Sequence, residues 1–187
     1  MKKKNLICGS GIKMAILSAF ALFTFTSCSA CPSNAGILTT QSQALTDSVM
    51  RTAVGDSIYR IITEAKKIKA EEIKMTNDTT KTTISTATNV KSKQVSLVQF
   101  ILSDPKNYGG DMPVYGQFMP CFKLTFIKKK ESCILNFDFG LKKWNLCNSD
   151  GKEIKRYDLP SDDMLRFANM LFPDNDLYKK QINTIQK

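Results

Sequence analysis

Apolar residues alternate with polar ones from Phe122 onward, in four runs separated by turn-forming residues. Phe122, Leu124 and Phe126 occupy every second position of the first run, and Cys133, Leu135, Phe137 and Phe139 do so in the second. Trp144 and Leu146 mark a third run, and Ile154 to Asp158 forms a fourth. Period-two patterning of this kind predicts strands with one face buried. The intervening residues have turn chemistry. Lys128-Lys129-Lys130-Glu131 makes a polar four-residue turn, Gly140-Leu141 suits a type II′ turn, and Asp150-Gly151 suits a type I′ turn.

These turns set the registers of an antiparallel meander. Phe122 falls opposite Phe137, Phe137 opposite Trp144, and Trp144 opposite Tyr157. Leu124, Leu135 and Leu146 form a parallel row on the same face. The opposite face carries Lys123, Asn136, Asn145 and Arg156 in one row, with Asp138 beside Lys143 in another. Because one face is apolar, a slip by one residue would turn every side chain to the wrong side. The aromatic row therefore reads as core rather than as a platform for stacking sugars.

Helical periodicity flanks the meander. Leu45, Val49, Ala53, Ile58, Ile61, Ile62, Ala65 and Ile68 recur mostly at three- and four-residue steps, predicting a helix from Thr46 that is weakened at Gly55. Ile68 to Met75 fits an extension of that helix or a strand. Thr76 to Lys93 holds seven threonines between 76 and 88 and reads as a Thr-rich loop. Val95, Val98, Ile101 and Leu102 predict a helix over about 92–103, which Asp104-Pro105 stops. Tyr108 to Pro120 is rich in Gly and Pro and reads as a loop. Ser161 is expected to cap a helix over 162–172, with Asp162 and Asp163 at its positive end. Leu177, Ile182 and Ile185 suggest a short last helix. The expected fold class is α+β, a four-stranded antiparallel meander packed on one face by helices, over residues 44–187.

The N-terminal pattern is different in kind. Lysines at 2, 3, 4 and 13 precede an apolar run from Met14 to Phe25, which is about a dozen residues. A spanning helix needs about 20, so residues 1–27 read as a signal peptide. Phe25-Thr26-Ser27-Cys28 resembles the lipobox of bacterial lipoproteins. That resemblance implies cleavage before Cys28 and lipid (palmitate among the acyl groups) on that cysteine. Ordinary cleavage after Ala30 is the alternative. Residues 28–43 are polar and read as a flexible tether, whose fifteen or so residues reach roughly 50 Å when extended.

Charge looks different once the signal is removed. The chain has 27 basic and 17 acidic residues, a net +10. Four of the lysines lie in residues 1–27, so 23 basic residues face 17 acidic ones, a net +6. An exported chain with this modest excess is not expected to bind nucleic acid.

Candidate chemistry is sparse. With no histidine, Ser-His-Asp and Cys-His catalysis and histidine metal sites are excluded. Cys31, Cys121, Cys133 and Cys147 lack the paired short spacings of a zinc site. The registers send Cys133 to the aromatic face and Cys121 and Cys147 to the other, which argues against disulfides within the sheet; a Cys31–Cys121 bond through the tether stays open. The Gly-Pro loop offers Tyr108, Asp111 and Tyr115 as a binding loop. Asp104, Asp111 and Cys121 are the residues an enzyme would have to gather.

Several local patterns carry a family likeness: Asp104-Pro105-Lys106-Asn107-Tyr108, Pro120-Cys121-Phe122, Lys143-Trp144-Asn145-Leu146 and Phe172-Pro173. Over about 103–172 the chain resembles a group of small lipoproteins of Gram-negative bacteria. The resemblance implies a cell-envelope address and no particular activity. The expected reading is a lipid-anchored envelope lipoprotein at the outer membrane, facing the periplasm. It would bind a protein or polymer partner, with no metal or small-molecule cofactor. The alternative is an enzyme built on the carboxylates or Cys121.

Overall fold

The computed structural model describes residues 46–75, 82–110 and 116–185. Cys28, Cys31, Asp111 and Tyr115 lie outside the described residues, as do the expected signal and tether.

The alternating runs form the strands they predict: β3 (Phe122–Lys128), β4 (Glu131–Asp138), β5 (Lys143–Cys147) and β6 (Glu153–Asp158). Their registers pair Phe122 with Phe137, Phe137 with Trp144, and Trp144 with Tyr157. Leu124, Leu135 and Leu146 also align, as do Lys123, Asn136, Asn145 and Arg156.

Among the described residues the sheet has six strands rather than four: Lys67–Met75 (β1) and Thr82–Asn89 (β2) precede the other four, and the order is β2-β1-β3-β4-β5-β6. Ile68 to Met75 belongs to β1 (Lys67–Met75), and much of the expected Thr-rich loop is β2 (Thr82–Asn89). β1 pairs antiparallel with β3, Ile68 facing Phe126 and Ala70 facing Leu124. Threonine is β-branched and suits a strand. β2 hid its strand character because it buries almost nothing: residues 83–87 are all exposed.

Two turns differ from expectation while keeping their registers. Asp138 pairs with Lys143 across the four residues 139–142, and Lys142 rather than Gly140 takes the left-handed conformation (φ 50°). The last hairpin turns through Asn148–Gly151, the Gly151 amide donating to the Asn148 carbonyl at 3.1 Å. Gly151 alone is left-handed there (φ 82°), and a bulge follows between Leu146 and Cys147. That is a type I turn with a bulge, not a type I′ turn.

The described residues hold five α-helices. The first expected helix is two: α1 (residues 46–54) and α2 (Asp56–Glu64). Gly55, at φ 82°, breaks the helix instead of merely weakening it. The break rephases the apolar face, so Met50 and Val54 are buried before it and Ile61 and Ile62 after it. Then come α3 (Ser92–Ser103), a 3-10 turn (Pro105–Tyr108), α4 (Asp163–Leu171) and α5 (Asp176–Ile185). Asp162, not Ser161, occupies the cap position of α4; the Ser161 hydroxyl accepts from the Asp163 amide only at 3.5 Å. Asn175 opens α5 by accepting from the Tyr178 amide at 3.1 Å.

The core lies between the helices and the aromatic face. Phe122, Phe137, Trp144 and Tyr157 are each fully buried. Trp144 stacks on Tyr157 with ring centroids 4.5 Å apart and on Phe137 at 6.0 Å. From the helices, Phe172 packs edge-on against Phe122, and Tyr178 against Phe139.

Candidate binding surfaces

The face opposite the aromatic core carries a polar row, bonded in two groups. Glu71 of β1 extends it beyond Lys123, because Glu71 pairs with Lys123 in the register. Its carboxylate is gripped on both oxygens, by Lys69 Nζ and Lys123 Nζ, each at 2.6 Å. Burial works against ionising Glu71, but these two lysines outweigh it and hold the carboxyl below its ordinary range. Farther along, Asn136 Nδ2 donates to Asn145 Oδ1 at 2.9 Å, and Asn145 Nδ2 donates to Glu153 Oε2 at 2.6 Å. Arg156 donates to the same Glu153 oxygen at 2.7 Å and lies 4.4 Å over the ring of Phe118. Strand alternation places these side chains on one face, and their mutual hydrogen bonds fix their positions. The three cations are part-exposed: Lys69 by 46%, Arg156 by 36% and Lys123 by 22% of the side chain.

The Gly-Pro loop is pinned to the domain at both ends. At its start, Asp104 ends α3 and accepts from the Lys106 amide at 3.0 Å. Asn107 Nδ2 donates to the Ile101 carbonyl at 2.8 Å, and the Tyr108 hydroxyl donates to the Leu102 carbonyl at 2.5 Å. The Asp-Pro-Lys-Asn-Tyr turn is thus a cap for carbonyls that the end of α3 would leave unpaired. Gly109 runs beside β6, its carbonyl accepting from the Asp158 amide at 2.8 Å. Gly110 lies so close that an added Cβ would meet the Arg156 carbonyl at 3.3 Å. At the far end, Asp138 accepts from the Met119 amide at 2.7 Å and the Leu141 amide at 2.9 Å.

Tyr108 is therefore an anchor of the loop. Its ring packs edge-on against both Trp144 and Tyr157, and burial raises its hydroxyl pKa.

Asp104 and Cys121 are not brought together. Asp104 lines a groove between α3 and α4, whereas Cys121 lines a separate recess with Glu72, Met119 and Asn175. The Cys121 thiol is pushed up to about 11, mainly by burial. A nucleophilic thiol needs the opposite shift. Cys133 is buried in the core and pushed up to about 12, and Cys147 accepts a hydrogen bond from Asn136 at 3.4 Å. Cys121, Cys133 and Cys147 are free thiols. Among the described residues no three Cys, Asp or Glu side chains gather as a metal ion would require.

Two features escaped the sequence reading. Glu72 is buried on the helix-covered side, where Ser85 Oγ donates to it at 2.6 Å and Asn175 Nδ2 donates to its other oxygen. Its place two residues after Ala70, in step with Ile68, was the signal. The second is the groove between α3 and α4, about 690 Å³, lined by Leu97, Phe100, Ile101, Phe167 and Met170. Phe100 is 75% exposed, Met170 45% and Leu97 42%. Exposed apolar clusters of this kind mark contact sites.

No family model matches the chain, and no curated protein or solved structure matches it.

Proposed function

We propose that this chain is a lipoprotein of the cell envelope, held by lipid on Cys28 at the outer membrane and facing the periplasm. It binds a protein or polymer partner through the polar sheet face and does not act by catalysis. The observation that supports this reading is the polar row from Glu71 to Arg156. It is a prearranged set of ammonium, amide and guanidinium donors on a rigid sheet, beside a loop pinned at both ends. Prearrangement lowers the entropy lost when a partner is bound. The groups an enzyme would need are apart: Asp104 and Cys121 line different recesses.

Two measurements test the two halves of the proposal. Intact mass of the mature protein is expected to show a chain beginning at Cys28 and carrying acyl groups. A lipid-free chain beginning at Cys31 would remove the anchor. A photo-crosslinking residue at Asn136 is expected to capture one discrete envelope component in living cells, whereas the same residue at exposed Lys180 captures none. Identical patterns at both positions would rule out the sheet face as the binding surface.

A further inference from the structure

We propose that the groove between α3 and α4 is a membrane-docking surface, seating the domain on the bilayer that carries its own anchor. The inference rests on the anchor reading above and concerns the opposite side of the molecule from the polar row.

Three observations converge on the bilayer as occupant. First, Thr46 lines this groove, and Thr46 is where the chain coming from Cys28 joins the domain. Residues 28–45 reach at most about 60 Å even when fully extended. The groove is therefore at the tethered end, and the anchor keeps it at high local concentration near lipid. Second, Phe100 projects from the groove at 75% exposure, flanked by Leu97 and Met170. An aromatic ring among aliphatic side chains gains free energy by entering the headgroup–acyl boundary. Third, exposed cations stand on the same two helices: Lys93 in the first turn of α3, Lys91 just before it, and Arg166 on α4 beside Met170. Long basic side chains can lay their stems on apolar surface and reach anionic headgroups. Asp104 and Asp163, on the same rim, oppose deep burial, so contact stays at interfacial depth.

Docking would orient the domain. The helices cover one face of the sheet and the polar row lies on the other, so seating α3 and α4 on lipid turns the polar row away from the membrane.

The test uses the mature acylated protein carrying Phe100→Trp, reconstituted in phosphatidylethanolamine–phosphatidylglycerol vesicles with or without brominated acyl chains. Trp144 is the chain's one native tryptophan and is fully buried, so it supplies an unquenched reference. Emission from position 100 is expected to shift to the blue and to be quenched by brominated lipid. Emission typical of water and indifferent to bromine would overturn the inference. So would a blue shift that needs added envelope extract and ignores bromine, because a protein partner would then cover the groove. A second arm measures the unacylated mature chain on the same vesicles. Phe100→Lys is expected to weaken its binding by about tenfold or more, from the apolar area no longer removed from water. Equal binding of the two forms rejects docking even where intact mass proves the anchor. Phe100-dependent binding without acylation upholds docking even where the anchor reading fails.

Discussion

Trp144 shows how much a single side chain carries here. Its ring is stacked between Phe137 and Tyr157, and its indole Nε1 donates to the Asn107 carbonyl at 3.0 Å. The stacking was legible from alternation alone, since both neighbours follow from strand register. The hydrogen bond was not, because Asn107 sits in a turn 37 residues away. Trp144→Ala is expected to cost about 3–5 kcal/mol, the range for removing a large buried aromatic, read as a lowered midpoint in urea unfolding with unchanged slope. Glu72 illustrates the reverse. A carboxylate in step with Ile68 and Ala70 broke the apolar pattern of β1, and only the folded chain supplies Ser85 and Asn175 to satisfy it.

At the scale of elements, legibility followed burial. The meander β3–β6 could be read in register because one face is apolar and the other polar. The β1–β2 hairpin could not, since β2 has no buried face and β1 interrupts its own pattern. The extents of α3 and α4 were readable, but the division of the first expected helix depended on backbone conformation. Gly55 is the clearest case. Nothing lies within 4 Å of where its Cβ would be, so a side chain there meets no clash. The cost of Gly55→Ala is therefore purely conformational, about 1–3 kcal/mol for holding φ 82° with ψ 154°, a region open essentially to glycine alone. Thermal unfolding should record that loss, and a Gly55→Asn variant should lose about as much, because asparagine tolerates positive φ only near ψ of about 30–60° and not at ψ 154°. A third helix contact is equally hidden from sequence: Gln99 of α3 donates to the carbonyls of Ile62, Thr63 and Ala65, closing the end of α2.

For the whole molecule, burial of thiols and phenols sets the response to pH. Cys121 is pushed up to about 11, Cys133 to about 12 and Tyr157 to about 12, each chiefly by burial; Tyr178 is raised as well. The ordinary values are 9.0 for the thiols and 10.0 for the phenols. Above about pH 9 the unfolded chain releases these protons while the folded chain retains them. Fewer protons bound in the unfolded state means that stability falls as pH rises. The unfolding midpoint is expected to decline steadily between pH 9 and pH 12; a flat profile there would show that these groups are open to solvent. On the acid side the sign reverses. The stabilisation of Glu71 by Lys69 and Lys123 is present above the ordinary carboxyl range and is lost as pH falls through its lowered folded value. The polar row as a site was half visible in sequence. Lys123, Asn136, Asn145 and Arg156 followed from the turns, whereas Glu71, Glu153 and Phe118 joined them only through β1, a bulge and a loop.

The position of β2 has a consequence for handling the protein. It closes one side of the sheet with an outer row of backbone amides and carbonyls, and from Thr82 to Val90 there is no charged residue or proline. Sheet proteins commonly blunt such a border with lysine or proline. Here the deterrents sit only outside the strand, at Lys74, Lys81 and Lys91. Crowding molecules in solution, or warming them until that border loosens, invites strand-to-strand aggregation along β2. Storage at low concentration and moderate ionic strength, where the positive charge of each copy still repels the next, follows directly from that uncharged border.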